Sequence, residues 1–147
     1  MNYQIENQLK ENGFYVSTTV GVSMWPMLRN RRDRVILRPI QKGERLSRFD
    51  LPLYRRRDGK YVLHRVIAVK DDHYVIRGDN TYYKEKVTDD QILGVVSDFY
   101  RKDRHIFSDN KRYCAYVRFW HFIYPIRLVM HKLRAVAWKI LKKLHLK

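Results

Sequence analysis

Residues 61–80 read YVLHRVIAVKDDHYVIRGDN. Two β-branched and aromatic runs flank the polar stretch KDDH (70–73), the pattern of a β-hairpin. A turn centred between Asp71 and Asp72 pairs Val69 with Tyr74, Ala68 with Val75 and Ile67 with Ile76. The same register sets His64 opposite Asp79. Directly opposed residues have Cβ atoms ~5 Å apart, close enough for a carboxylate to orient an imidazole. Gly78 allows a bulge or a bend where the ladder ends.

The flanking sequence has the same texture. FYVSTTV (14–20), DRVILRP (33–39), DLPLYRR (50–56), KYVLHRVIAV (60–69), HYVIRG (73–78) and ILGVVSDFY (92–100) are short, rich in strand formers and broken by turn residues. Short strands at this spacing predict a mainly β fold, a barrel or sandwich, over residues 1–100. Residues 2–12 predict a short N-terminal helix closed by Asn12-Gly13. RKDRHIFSDNKR (101–112) reads as a polar linker. Residues 113–147 change to helical spacing, with apolar side chains at Phe119, Phe122, Ile126, Val129, Leu133, Val136, Ile140 and Leu144. Pro125 divides this tail into two helical pieces.

The chain has 147 residues, enough to bury a core. Its formal net charge of +16 implies an anionic partner, nucleic acid or a membrane surface. One cysteine, Cys114, excludes an intramolecular disulfide. The scattered histidines suggest no metal site, and no cofactor motif is present. The N-terminal MNYQIENQLKENGFYV has no apolar run of a signal peptide or anchor, and no stretch has the length of a transmembrane helix. From Tyr113 onward there are eight Lys or Arg and no acids. A basic, aromatic-rich amphipathic helix of this kind suits the interface of an anionic bilayer. A helix packed on the β domain, or on a second copy of the chain, is the alternative.

GVSMWPML (21–28) is neither a clean strand nor a clean helix. It holds the small hydroxyl of Ser23 among stiff apolar neighbours, with Pro26 restricting Trp25. A serine hydroxyl is a weak nucleophile until a base takes its proton, and histidine suits that task near neutral pH. A third, acidic group then fixes the imidazole tautomer and raises its pKa. Ser23, His64 and Asp79 are therefore candidates for one site.

Taken in order, these segments resemble the signal peptidase I family of serine peptidases, in the clan that also holds self-cleaving phage-type repressors. GVSMWPML resembles the nucleophile box, with Ser23 as nucleophile. RRDRVILRP (31–39) and RFDLPLYRR (48–56) resemble the two Asp-containing strand segments that follow it. LHRVIAV (63–69) resembles the general-base box and RGDN (77–80) the Gly-Asp-Asn box. Histidine in place of the usual bacterial lysine resembles the endoplasmic-reticulum and sporulation-type branch. In that branch a further acid stands six residues beyond the Asp of Gly-Asp-Asn, which here is Glu85. Asp79 and Glu85 are thus rivals for the third role, and the hairpin register favours Asp79. Gly21 stands where many relatives have a serine, so the oxyanion would rest mainly on backbone amides, that of Ser23 included.

The resemblance implies an endopeptidase that cleaves a signal or leader peptide from a precursor, with no cofactor. Gly21, Met24 and Trp25 are the expected substrate contacts. With no anchor or export signal in view, the expectation is a peripheral enzyme on the cytoplasmic face, held by residues 113–147. The rival reading is a non-catalytic module that binds nucleic acid or peptide, supported by RNRRDR (29–34) and YRRRDGKY (54–61) among eleven tyrosines. It leaves the ordered Ser, His and Asp boxes unexplained.

Overall fold

The computed structural model describes residues 4–145. Helix α1 (Gln4–Asn12) lies where the N-terminal helix was expected; positions 2 and 3 of that expectation, and 146 and 147 of the tail, lie outside the described residues. It buries Leu9 and ends at Gly13, whose φ of +72° suits glycine and whose N–H donates to the Leu9 carbonyl at 3.1 Å.

Among the described residues nine strands follow: β1 (Tyr15–Thr18), β2 (Arg34–Arg38), β3 (Pro52–Arg55), β4 (Tyr61–Leu63), β5 (Arg65–Val69), β6 (Tyr74–Arg77), β7 (Glu85–Val87), β8 (Ile92–Arg101) and β9 (Arg104–Phe107). They form two antiparallel sheets. The first runs β1-β2-β8-β3-β4, with β9 also paired to β8; the second is the meander β5-β6-β7. The protein is mainly β, as its sequence predicts.

Two apolar clusters form the core. Met24, Met27, Leu28, Val35, Leu37, Leu53, Val96 and Phe99 belong to one; Tyr54, Val66, Tyr74, Ile76, Val87 and Val95 belong to the other. Strands β3 and β8 serve both, because successive side chains point to opposite faces. Leu53 and Val96 enter the first cluster, while Tyr54 and Val95 enter the second. Burial on both faces explains why these segments read as apolar runs instead of alternating.

Three expectations change here. KYVLHRVIAV is two strands, because the chain leaves the first sheet after Leu63 and joins the second at Arg65, with His64 at the corner. The hairpin pairs Val69 with Tyr74 and Ala68 with Val75 as expected. A bulge at Ile67 then sets Val66 against Ile76 and Arg65 against Arg77. The shift lets Val66 and Ile76 share the second core, and it removes the pairing of His64 with Asp79. Finally, residues 101–112 form no linker. β9 folds back on β8 through a turn in which Lys102 has φ +56°, and His105 stacks on Tyr100 and bonds Asp98.

The tail forms α2 (Lys111–Phe122) and α3 (Tyr124–His145). Asn110 caps α2 by accepting from the amides of Arg112 and Tyr113. Pro125 sits in the first turn of α3, where its missing N–H costs no helical bond. α2 packs Tyr113 and Tyr116 on the first core, whereas every described side chain of α3 from His131 onward is exposed. Among the described residues no helix is long and apolar enough to cross a membrane.

Candidate active site

Residues 19–33 join β1 to β2 as a series of turns fixed from several sides. Met24, Met27 and Leu28 are buried in the first core and pin the segment down. The carboxylate of Asp33, fully buried, accepts from the backbone N–H groups of Arg29 (2.8 Å) and Lys102 (3.1 Å) and pairs with Arg32. Gly21 has φ +94°, a left-handed conformation that favours glycine, and its N–H donates to Asn30 Oδ1 at 2.9 Å. Ser23 is thereby held at the wall of a cleft of about 370 Å³. Gly21, Met24, His64, Arg56 and Tyr83 line the same cleft, and β1 and β4 flank it through Ser17, Thr18 and Tyr61–Leu63.

His64 is 2% exposed. Its Nδ1 lies 3.3 Å from Glu85 Oε1 and 3.3 Å from the Tyr54 hydroxyl. On the other edge of the ring, Nε2 is 3.0 Å from the position a Cβ on Gly78 would occupy, and the Ser23 carbonyl oxygen is 2.7 Å from that same position. Gly78 thus lets the base and the nucleophile segment converge on one backbone point. The next turn binds them together: Asn80 donates from its backbone N–H to the Ser23 carbonyl (2.7 Å) and from Nδ2 to the Val22 carbonyl (3.2 Å). Among the described residues no hydrogen bond joins Ser23 Oγ to His64, and none engages the Ser23 amide. Catalytic hydrogen bonds are often long before substrate arrives.

The two rival acids have separate partners. Glu85 opens β7, which pairs with β6 through Ile76 and so reaches the His64 corner without any loop folding back. Arg56 holds it through Nε at 2.6 Å and through Nη2. Burial pushes the Glu85 pKa up, but hydrogen bonds from Arg56 and Tyr54 outweigh it, and the carboxyl titrates below its usual range. Among the described residues Asp79 makes no hydrogen bond or ion pair with His64. It forms a bidentate pair with Arg65, both bonds 2.8 Å, with side chains 1% and 0% exposed. Arg65 also donates to the Phe49 carbonyl and to the Tyr113 hydroxyl, each at 3.0 Å. Burial opposes the charge on Arg65, and Asp79 keeps it charged.

For His64, burial is the largest influence and lowers the pKa; Glu85 opposes it and Arg56 adds to it. The net direction is downward, against the expectation of a carboxylate-raised value, so the ring is neutral at pH 7 with a free lone pair. Trp25 also departs from expectation. It does not line the Ser23 cleft, but borders a separate depression with Asn80, Tyr82, Trp120 and Arg127. Tyr54 and Arg56 were not singled out in the sequence. The strand EKV, a third member of the hairpin sheet, is the signal that brings Glu85 to His64, while Arg56 lies just beyond β3 and no sequence pattern marks it. Two of the arginines that suggested nucleic acid, Arg32 and Arg56, are occupied by Asp33 and Glu85.

Compared with models of known protein families and with curated proteins, the chain matches none.

Proposed function

We propose that this protein is a serine endopeptidase of the signal peptidase I type, with Ser23 as nucleophile, His64 as general base and Glu85 as the orienting acid. The observation that carries this reading is the convergence of the Ser23 carbonyl and the Nε2 edge of His64 on Gly78, with Glu85 behind Nδ1 and Ser23 and His64 lining one cleft. With Nδ1–H directed at Glu85, the Nε2 lone pair is free to take the Ser23 proton. Oγ then attacks the peptide carbonyl, and the resulting oxyanion is met by backbone N–H groups, the unengaged Ser23 amide among them. His64 returns the proton to the leaving amine, and water releases the acyl group by the reverse sequence. Asp79 has a structural role: through Arg65 it holds the loop whose Asn80 positions Ser23.

The substrate in this reading is an extended stretch of a precursor, such as a signal or leader peptide. β1 is an edge strand of the first sheet and flanks the cleft together with β4, and such an edge offers its backbone groups to an added strand. The helical tail supplies the seat on an anionic membrane. Ile126, Val129, Leu133, Val136, Ile140 and Leu144 are all exposed along α3, and Phe122 is 82% exposed. Lys132, Lys139, Lys142 and Lys143 accompany them, each contributing on the order of 1 kcal/mol near an anionic surface.

The test is labelling of the full chain with a fluorophosphonate probe. Expected is stoichiometric modification at Ser23, abolished by Ser23→Ala and by His64→Ala with circular dichroism unchanged. Labelling that persists in Ser23→Ala overturns the peptidase reading.

A further inference from the structure

On the far side of the 23–28 segment, Met27 and Arg32 border a second cleft, larger than the first at about 830 Å³. It lies between the β8–β9 hairpin and the start of α2. Its lining includes Arg32, Arg101, Lys102, Arg104, Lys111 and Arg112, and no Asp or Glu. Arg32 is paired with Asp33; among the described residues the other five cations have no carboxylate partner. Five unpaired like charges around one concavity repel one another, and an anion seated among them relieves that repulsion. The walls also offer donors. Tyr116, a lining residue, keeps a buried hydroxyl with no hydrogen-bond partner, and burial raises its pKa to about 12, so it stays protonated. Arginine forks and a free phenol suit the oxygens of a phosphate.

We propose that this cleft binds the phosphate headgroup of an anionic lipid. The choice of a lipid over a free phosphate comes from α2 itself. Arg112, Tyr116 and Phe119 stand at i, i+4 and i+7, on one face of the helix, so the charged wall leads directly to Phe119, which is 59% exposed. The separation along the axis is about 10 Å, at 1.5 Å per residue. A headgroup in the cleft therefore has an exposed aromatic ring at the distance where its acyl chains begin, and exposed Phe122 and Ile126 follow it along the chain. The proposal rests on the membrane reading of the tail and adds to it a stoichiometric site with headgroup preference.

The experiment titrates the full-length protein, by calorimetry, with dihexanoyl phosphatidylglycerol below its micelle threshold. Dihexanoyl phosphatidylcholine, inorganic phosphate and a short single-stranded DNA are titrated in parallel. The variant is the triple Arg101→Gln, Arg104→Gln, Lys111→Gln; the control is Lys10→Gln, Lys42→Gln, Lys70→Gln, which removes the same charge from exposed positions outside the cleft and the tail. Expected is saturable one-to-one binding of phosphatidylglycerol in preference to phosphatidylcholine and phosphate, weakened at least tenfold in the cleft triple and within twofold of the parent in the control. Equal losses in both triples, or no saturable binding, overturn the site. Phosphate binding as tightly as the lipid, or DNA binding more tightly with the same cleft dependence, overturns the lipid assignment. Flotation with mixed phosphatidylglycerol and phosphatidylcholine vesicles separates the two readings. Protein that binds the monomeric lipid through the cleft but ignores vesicles refutes the membrane seat alone; protein that floats equally well with and without the cleft charges, and binds no monomer, refutes the cleft alone.

Discussion

In the proposed peptidase reading, exchanging the two acids for amides, Glu85→Gln and Asp79→Asn, separates catalysis from stability because each carboxylate serves a different partner. Glu85 meets His64 Nδ1 and Arg56 at a partly exposed position, with side chains 18% and 28% exposed for the Glu85–Arg56 pair. Glutamine keeps the shape and removes the charge, costing about 1–2 kcal/mol of stability. The imidazolium formed as Ser23 attacks loses its counter-charge, and the glutamine NH₂ favours the wrong tautomer. The fluorophosphonate labelling rate should fall on the order of 10²–10⁴-fold. Asp79→Asn instead leaves the Arg65 guanidinium buried without its anion, a loss of about 3–5 kcal/mol. For a chain of this size that lowers Tm by roughly 6–20 °C. Well below its own Tm, the folded Asp79→Asn protein should label within about tenfold of the parent, since among the described residues Asp79 makes no hydrogen bond or ion pair with His64 and its charge is the smallest of the named influences on that ring. The assay pairs thermal melts with labelling rates at one pH. A Glu85→Gln protein that labels at the parental rate, beside an Asp79→Asn protein that melts normally and fails to label, refutes the assignment.

Gly78→Ala tests the convergence point. Gly78 lies outside the left-handed region, so alanine suits its backbone, but the new Cβ would stand 2.7 Å from the Ser23 oxygen, 2.9 Å from Thr81 Cγ2 and 3.0 Å from His64 Nε2. We expect about 1–3 kcal/mol of destabilisation from overpacking and loss of labelling; a parental labelling rate would show that Ser23 and His64 do not meet there. For pH dependence, the lowered His64 pKa places the acid limb of labelling below the ordinary histidine value of about 6.5, and a limb above pH 7 contradicts the burial argument. Stability should follow the same sign through His121, which burial lowers to about 4 while its Nδ1 faces the Val117 carbonyl at 3.2 Å. The folded state binds that proton less readily than the unfolded chain. About 3 kcal/mol present above pH 6.5 is therefore lost as pH falls through 4, and it is recovered in His121→Phe; melts that do not differ between parent and variant across this range refute it.

The sequence made the strands legible because their residues are β-branched and aromatic, and of its candidates Ser23 and His64 line one cleft while Asp79 does not. What it hid are features where two levels of structure compete. The bulge at Ile67 is favoured by the burial of Val66 and Ile76 in one core, a tertiary preference that overrides the uniform hairpin ladder. With it goes the pairing that made Asp79 the favoured acid. EKV is three residues long and mostly charged, so it looked like loop, yet it completes the second sheet and delivers Glu85. RHIF in β9 has the same short polar texture and was hidden the same way. The pKa of His64 depends on the balance of burial against one carboxylate, and burial at a corner between two sheets is not written in local spacing.

That corner also explains why the tail is more than an appendage. The loop after β6 must hold Ser23 from below, and its own support comes from the helices. The Asp79 carbonyl accepts from Trp120 Nε1 at 2.9 Å and from Arg127 at 2.7 Å, while Arg127 lies over the Trp120 ring at 3.7 Å. Tyr82 stacks on His131 with centroids 4.1 Å apart, and Arg77 lies over the Tyr124 ring. From below, Tyr113 of α2 closes on Arg65, the partner of the Asp79 carboxylate. The main chain of Asp79 is thus bound to α2 and α3 on either side of their turn, and its side chain, through Arg65, to the first turn of α2, one residue before the Asn80 amide that bonds Ser23. A rigid second layer of this kind is what keeps a nucleophile within reach of its base. The same two helices leave Phe119, Phe122 and the apolar side chains of α3 exposed. In the proposed reading, the surface that seats the protein on a membrane and the brace that fixes its catalytic loop are opposite sides of one structural unit, so where the enzyme sits and how its site is held are linked through Trp120 and Arg127.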